Sequence, residues 1–262
     1  TGAADFAYER ITGGVLEVGL VAKWSVARYG ESSIICLASN RGQSEARVIR
    51  IDGFSHVAVS NPEIDSIFNS YTTASATGFS YTHEGHQFYQ INFPSDSKSW
   101  LYDGTSNLWS EVSYGANEER DRGEVAEEFG GKTYVSDYEN GKIYSLDATK
   151  FDDDGEPVVV EFTSRHIFDE KFVRISRLWL DVEVAVGTAS GVASDPTVLL
   201  SISKDGGHTY GIEKEASIGK IGEYSVRPMF RRLGRSYDWV FKVRITDSVA
   251  KHIVGAWVDI AA

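Results

Sequence analysis

The sequence predicts an all-β protein: β-propeller blades, then a β-sandwich-like domain, with one short helix near 62–70. Three observations carry this expectation. A unit of about 50 residues recurs and reads as four strands each time, the mark of a propeller blade. Asn-Gly, Asp-Gly and Gly-Gly steps punctuate it, and such residues accept the positive φ of turns that match strand twist. Beyond residue 151 the strands lengthen and alternate apolar with polar side chains, the pattern of a sheet with one wet face.

In chain order, residues 1–20 read as an entry segment broken at Gly13-Gly14, with a short strand over 15–19. A first, looser blade spans roughly 21–60. Its strands are expected at 24–28, 34–38, 47–51 and 54–60, with turns at Tyr29-Gly30-Glu31 and Asp52-Gly53. Asn61-Pro62-Glu63 is a helix start: a capping side chain, Pro at the first position and an acid in the first turn. Ile64, Ile67 and Phe68 share one face of that helix, which ends near Ser70.

The clearest blade runs over 78–112, through turns at Glu84-Gly85 and Asp103-Gly104. Residues 117–128 hold six acids and two arginines and read as a solvated loop. A third blade starts near Gly123, turns at Gly130-Gly131 and Glu139-Asn140-Gly141, and resumes over 142–146. Residues 151–157 form a linker or long turn. Strands follow at 158–165, 173–186, 198–203, 224–230, 239–246 and 253–260, with a loop at 187–196. The expected domains are 1–150, the C-terminal part of a larger and here incomplete propeller, and 151–262, the sandwich-like domain. A blade pattern within the first 30 residues and a sole Met at 229 favour a fragment.

Hydrophobic residues make up 42% of the chain, so a core can be buried. No apolar run reaches the ~20 residues that span a bilayer, so no membrane partner is expected. A single cysteine, Cys36, excludes an internal disulfide and sits in an apolar run that reads as core. The net charge is −12. Residues 1–150 carry 12 basic and 21 acidic side chains, against 14 and 17 in 151–262. Tight nucleic-acid binding needs a basic face and is not expected.

The sharpest motif is Ser203, Asp205, Gly207, Thr209 and Tyr210, which fits the Asp-box pattern of sialidases and other propellers. Its chemistry is a self-bonded hairpin: Ser and Asp side chains hold the turn backbone while Gly takes positive φ. A glycosidase or depolymerase would also need an arginine cluster and a Tyr/Glu nucleophile pair, which no blade positions supply recognisably. His83, Glu84 and His86 invite a metal reading, and Asp152 to Asp154 with Glu156 a calcium one. The first lacks further ligands, and the second lacks alternating oxygen spacing. No nucleophile elbow, phosphate loop or zincin motif occurs. No catalytic residue, cofactor or metal is therefore assigned. Arg227, Arg231, Arg232, Arg235, Lys242 and Arg244 form the one basic stretch, a candidate subunit interface for an acidic neighbour. An alternative reading, a glycan- or protein-binding module, would use aromatics such as Trp100 and Tyr138 as a platform.

Several segments together resemble the packaged-DNA stabilisation proteins of Salmonella-type short-tailed phages, also called tail accessory or hub proteins. These are Glu63-Ile64-Asp65-Ser66-Ile67-Phe68-Asn69-Ser70-Tyr71-Thr72, residues 86–94 with Leu101-Tyr102-Asp103 and Trp109, and Asn140-Gly141-Lys142-Ile143-Tyr144 with Leu146-Asp147. The others are residues 200–211, Phe230-Arg231-Arg232-Leu233-Gly234-Arg235 and Phe241-Lys242-Val243-Arg244-Ile245. The match lies in their order and spacing and covers nearly the whole chain, corresponding to the C-terminal part of such proteins. The resemblance implies a non-enzymatic virion component of the tail and neck, assembled in the bacterial host cytoplasm. It implies a ring, a hexamer, below the portal and its adaptor. Its partners would be portal-adaptor and other tail proteins and a needle or plug protein.

Overall fold

The computed structural model describes residues 11–42, 44–115 and 117–261. The first ten residues of the expected entry segment lie outside them. The chain divides into two compact units, Thr1–Leu146 and Asp147–Ala262.

The first unit is built of antiparallel meanders in sequence order. In the first blade, β1 (Val18–Leu20) and β2 (Ala27–Tyr29) pair with opposite ends of β3 (Ser33–Asn40), along one edge. Two more strands, β4 (Ala46–Asp52) and β5 (Ser55–Ala58), continue outward. After the helix α1 (Pro62–Asn69), the second blade runs through β6 (Thr77–His83), β7 (His86–Phe93), β8 (Lys98–Asp103), β9 (Leu108–Tyr114) and the short β10 (Glu119–Arg120). The third comprises β11 (Gly123–Phe129), β12 (Lys132–Asp137) and β13 (Ile143–Ser145). Glu84-Gly85 and Gly130-Gly131 close two-residue turns with positive φ at both positions, the geometry that keeps a tight hairpin twisted.

The helix forms where its signals place it. Asn61 Oδ1 accepts from the Ile64 amide at 2.9 Å, which satisfies one of the free N–H groups of the first turn. At the other end Asn69 bonds both the amide and the carbonyl of Ala46, at 2.8 and 2.9 Å, and so fixes α1 to β4. Phe68 is fully buried and meets Phe93, Trp100 and Trp109 at 5.0, 5.8 and 5.4 Å. These rings join Ile35, Leu37, Val48, Tyr89 and Ile91 in one core between the first two blades. Polar groups inside it are bonded: the Tyr89 hydroxyl donates to the Ser25 carbonyl at 2.7 Å, and Ser25 Oγ accepts from the Leu37 amide at 3.0 Å. Side-chain ties join blade two to blade three, with Gln90 donating to Asp121 at 2.7 Å and Asn92 to the Gly123 carbonyl at 2.8 Å.

One expectation is corrected here. Residues 117–128 are not a solvated loop, because β10 and most of β11 lie within them. Arg120 is only 6% exposed and stacks on Tyr138 at 3.8 Å, beside Glu124, with which it pairs. Charge density hid the strand: Glu124 pairs with Arg120, Glu127 and Glu128 are exposed on opposite faces, and β12 satisfies the backbone.

In the second unit the expected linker closes a small hairpin, β14 (Asp152–Asp153) with β15 (Glu156–Pro157). The other strands are β16 (Val160–Thr163), β17 (Ile167–Val182), β18 (Thr197–Ser203), β19 (Lys214–Ser217), β20 (Met229–Ile245) and β21 (Ile253–Ala261). Sheet order is β19-β18-β20-β17-β21, with β16 also on β20. The first half of β20 pairs with β17, and its second half with β18 and β16. Leu178 and Leu180 from β17, Leu200 from β18, and Phe230, Trp239, Phe241 and Val243 from β20 bury one shared core.

The sequence predicts separate strands at 224–230 and 239–246. Instead, 224–228 are loop and β20 runs unbroken for 17 residues. The polar run 231–236 reads as a break, yet the ladder passes through it by a bulge. Arg232 takes φ 58° there and the register shifts, which lets one extra residue sit in the strand.

Candidate functional site

The Asp-box starts at Ser203, the last residue of β18, and runs into the turn that follows it. Ser203 Oγ accepts from the Gly207 amide at 2.8 Å and donates to Asp205 at 2.6 Å. Asp205 also accepts from the Thr209 amide at 2.9 Å and from the Thr209 hydroxyl at 2.6 Å. Gly206 and Gly207 have φ of 71° and 88°, where a Cβ would be strained. Bonds from Ser203 and then Thr209 hold the Asp205 carboxyl far below the ordinary carboxylate range. The Lys242 ammonium sits 5.0 Å from the Tyr210 ring. Removing the carboxylate in Asp205→Ala is expected to expose the Thr209 amide to exchange and lower the thermal midpoint. Unchanged Thr209 protection in hydrogen exchange would count against this role.

The six basic residues do not form one surface. Lys242 and Arg244 lie in the second half of β20 and pair within the chain, with Glu161 at 2.8 Å and Glu213 at 3.2 Å. Arg227 is exposed in the preceding loop, and Arg232 occupies the bulge. Arg231 and Arg235 are exposed on β20, directly opposite Arg177 and Arg174 of β17. Arg174 and Arg177 escape a strict alternation count because the register shifts between Ile175 and Arg177. That shift brings residues three apart to one face.

In the first unit a cleft of about 570 Å³ is lined by Arg28, Glu31, Ser80, Thr82, Glu127 and Glu128, among others. Its walls come from the edge strands β6 and β11 and from the turn after β2. Acids outnumber bases along it. Thr133 Oγ1 donates to the Thr82 carbonyl at 2.8 Å and ties the edge strand β6 of blade two to blade three.

Other candidates resolve into local structure. His86 Nδ1 lies 2.9 Å from Asp103. Among the described residues no three His, Cys, Asp or Glu side chains converge as a metal site. Desolvation pushes the Asp103 carboxyl up, but bonds from Ser106, His86 and the Thr105 amide outweigh it and bring it down to about 2. A carboxyl depressed on folding stabilises fully above its unfolded value of about 4. That stabilisation is lost as pH falls through about 2. The gap in thermal midpoint between the wild type and Asp103→Asn is therefore expected to be constant above pH 5 and to close toward pH 2. A gap independent of pH would contradict it.

Burial pushes the Cys36 thiol up to about 11, so the nucleophilic thiolate is scarce. Trp100 is no open platform, since it is half-buried and packs on Phe68. Tyr138 has one face covered by Arg120. Among the described residues no helix is long and apolar enough to cross a membrane.

Blades in the first unit, a sandwich in the second, and polar clusters engaged in turns and strand ties define a β-scaffold protein. Residues 1–151 match the family model described as Bacteriophage P22 Gp10, beta-propeller, and residues 160–261 the one described as Bacteriophage P22 Gp10, beta-sandwich. The chain belongs to the bacteriophage P22 Gp10 family, structural virion proteins that stabilise packaged DNA. Comparison with curated proteins returned no match.

Proposed function

We propose that this chain is a subunit of a ring, a hexamer, in the tail and neck of the virion. The ring continues the DNA channel below portal and adaptor and closes the head after packaging. The observation that carries the reading is the tandem match to both parts of one virion-protein family. Its partners are portal-adaptor and other tail proteins and a needle or plug protein, met during assembly in the host cytoplasm. Residues 1–150 serve as the blade scaffold and 151–262 as the sandwich that meets neighbours. The Asp-box hairpin is structural in this reading, and the chain turns over no substrate.

The acidic balance of residues 1–150, with 21 acids against 12 bases, supports a channel wall that does not hold DNA. Like charges repel a polyanion at short range, and the net charge of −12 adds to that repulsion.

The test is retention of DNA. Particles assembled without the protein should package DNA and then release it to added nuclease, and purified full-length protein should restore protection. Particles that retain DNA equally well without it would sink the reading, as would turnover of a fluorogenic sialoside or capsule polysaccharide.

A further inference from the structure

The outer face of the sheet formed by β20, β17 and β21 holds like charges in register. Arg174 lies directly opposite Arg235, and Arg177 directly opposite Arg231, and all four are exposed. Like charges across a ladder destabilise a sheet. Asp259 answers Arg177 at 2.6 Å. The other three have no carboxylate partner among the described residues. The neighbouring cross-strand row is Met229, Trp179 and Trp257, with Trp257 55% exposed. Arginine beside exposed indole is the chemistry of interface anchors. A merely solvated face needs neither the unanswered charge nor the bare indole.

Charge complementarity selects the occupant. Residues 1–150 carry nine more acids than bases. On β11 the exposed Glu127 shares one strand face with Val125 and Phe129, which are 58% and 78% exposed. An acid between two bare apolar side chains mirrors the arginine and tryptophan face. We propose that the face built on Arg174, Arg235, Arg231 and Trp257 docks on the acidic, apolar β11 strand of a second copy of this chain. The contact is head-to-tail, so each copy offers both halves and the contact repeats around a closing assembly. This inference rests on the reading of the chain as a ring subunit and adds the surface that joins neighbours.

Sedimentation equilibrium of the full chain tests it, with circular dichroism as the control for folding. One variant carries Arg174→Glu and Arg235→Glu, which keeps a like-charge pair and so leaves the fold unbiased. A second carries Glu127→Arg, and a third combines all three changes. Wild type should self-associate, and less so as salt rises. Each charge reversal alone should weaken association roughly 30-fold or more, and the combination should restore it. An arginine variant that associates like wild type overturns this face but leaves the ring reading standing. A combination that fails to restore association overturns β11 as the complement. A wild-type chain that stays monomeric at every concentration overturns both readings.

Discussion

Replacing Phe68 with alanine will destabilise the first unit by about 3–5 kcal/mol, the usual cost of emptying a buried aromatic site. The residue is fully buried and touches three other rings, from β7, β8 and β9. It is also the main apolar anchor of α1, whose other buried side chain is Ile64. An eight-residue helix is too short to be stable alone. Losing the anchor therefore removes packing and loosens the helix together. Urea unfolding followed by tryptophan emission reads the change directly, because Trp100 and Trp109 both face the cavity. A loss under about 1 kcal/mol would mean that the blades hold together without the helix, against the usual cost of such a cavity.

Trp239→Ala is expected to cost the second unit a similar amount, about 3–5 kcal/mol. Trp239 is fully buried at the point where β20 leaves β17 and joins β18. Its Nε1 donates to the Val173 carbonyl at 3.3 Å, and its ring stacks on Phe241 at 5.8 Å. Truncation opens a cavity and also leaves a carbonyl without its donor, which adds its own desolvation cost. Trp239→Phe should fall between the two, since it restores most of the volume but not the donor. Guanidinium unfolding of the three proteins checks that order. If phenylalanine proved as costly as alanine, the hydrogen bond rather than the packing would dominate.

The blade at 78–112 was legible because period-two alternation and turn chemistry agree there: Glu84-Gly85 demands a hairpin, and the flanking runs alternate. The helix was legible for the same reason, since cap, proline and apolar spacing point one way. The strand through 117–128 was not. Its signal is a row of charges, and only the pairing of β10 with β9 and of β11 with β12 makes it strand. The continuity of β20 was hidden too, because a bulge at Arg232 breaks the alternation that a count relies on.

The candidate surface shows the same divide. The Asp-box was readable from five residues, because its bonds are local and its spacing fixes them. The basic stretch was readable as composition but not as a surface. Lys242 and Arg244 turned out to be answered by Glu161 and Glu213, while Arg231 and Arg235 face Arg177 and Arg174, more than fifty residues away.

Short-range chemistry, written in caps, turns and alternation, determined from the sequence that this chain is strands in blades followed by a sandwich, and marked its family. Which strand lies beside which, and so which charges are answered and which stand exposed, depends on register between distant segments. A single bulge moves a whole side-chain row to another partner, and only the assembled tertiary structure decides that.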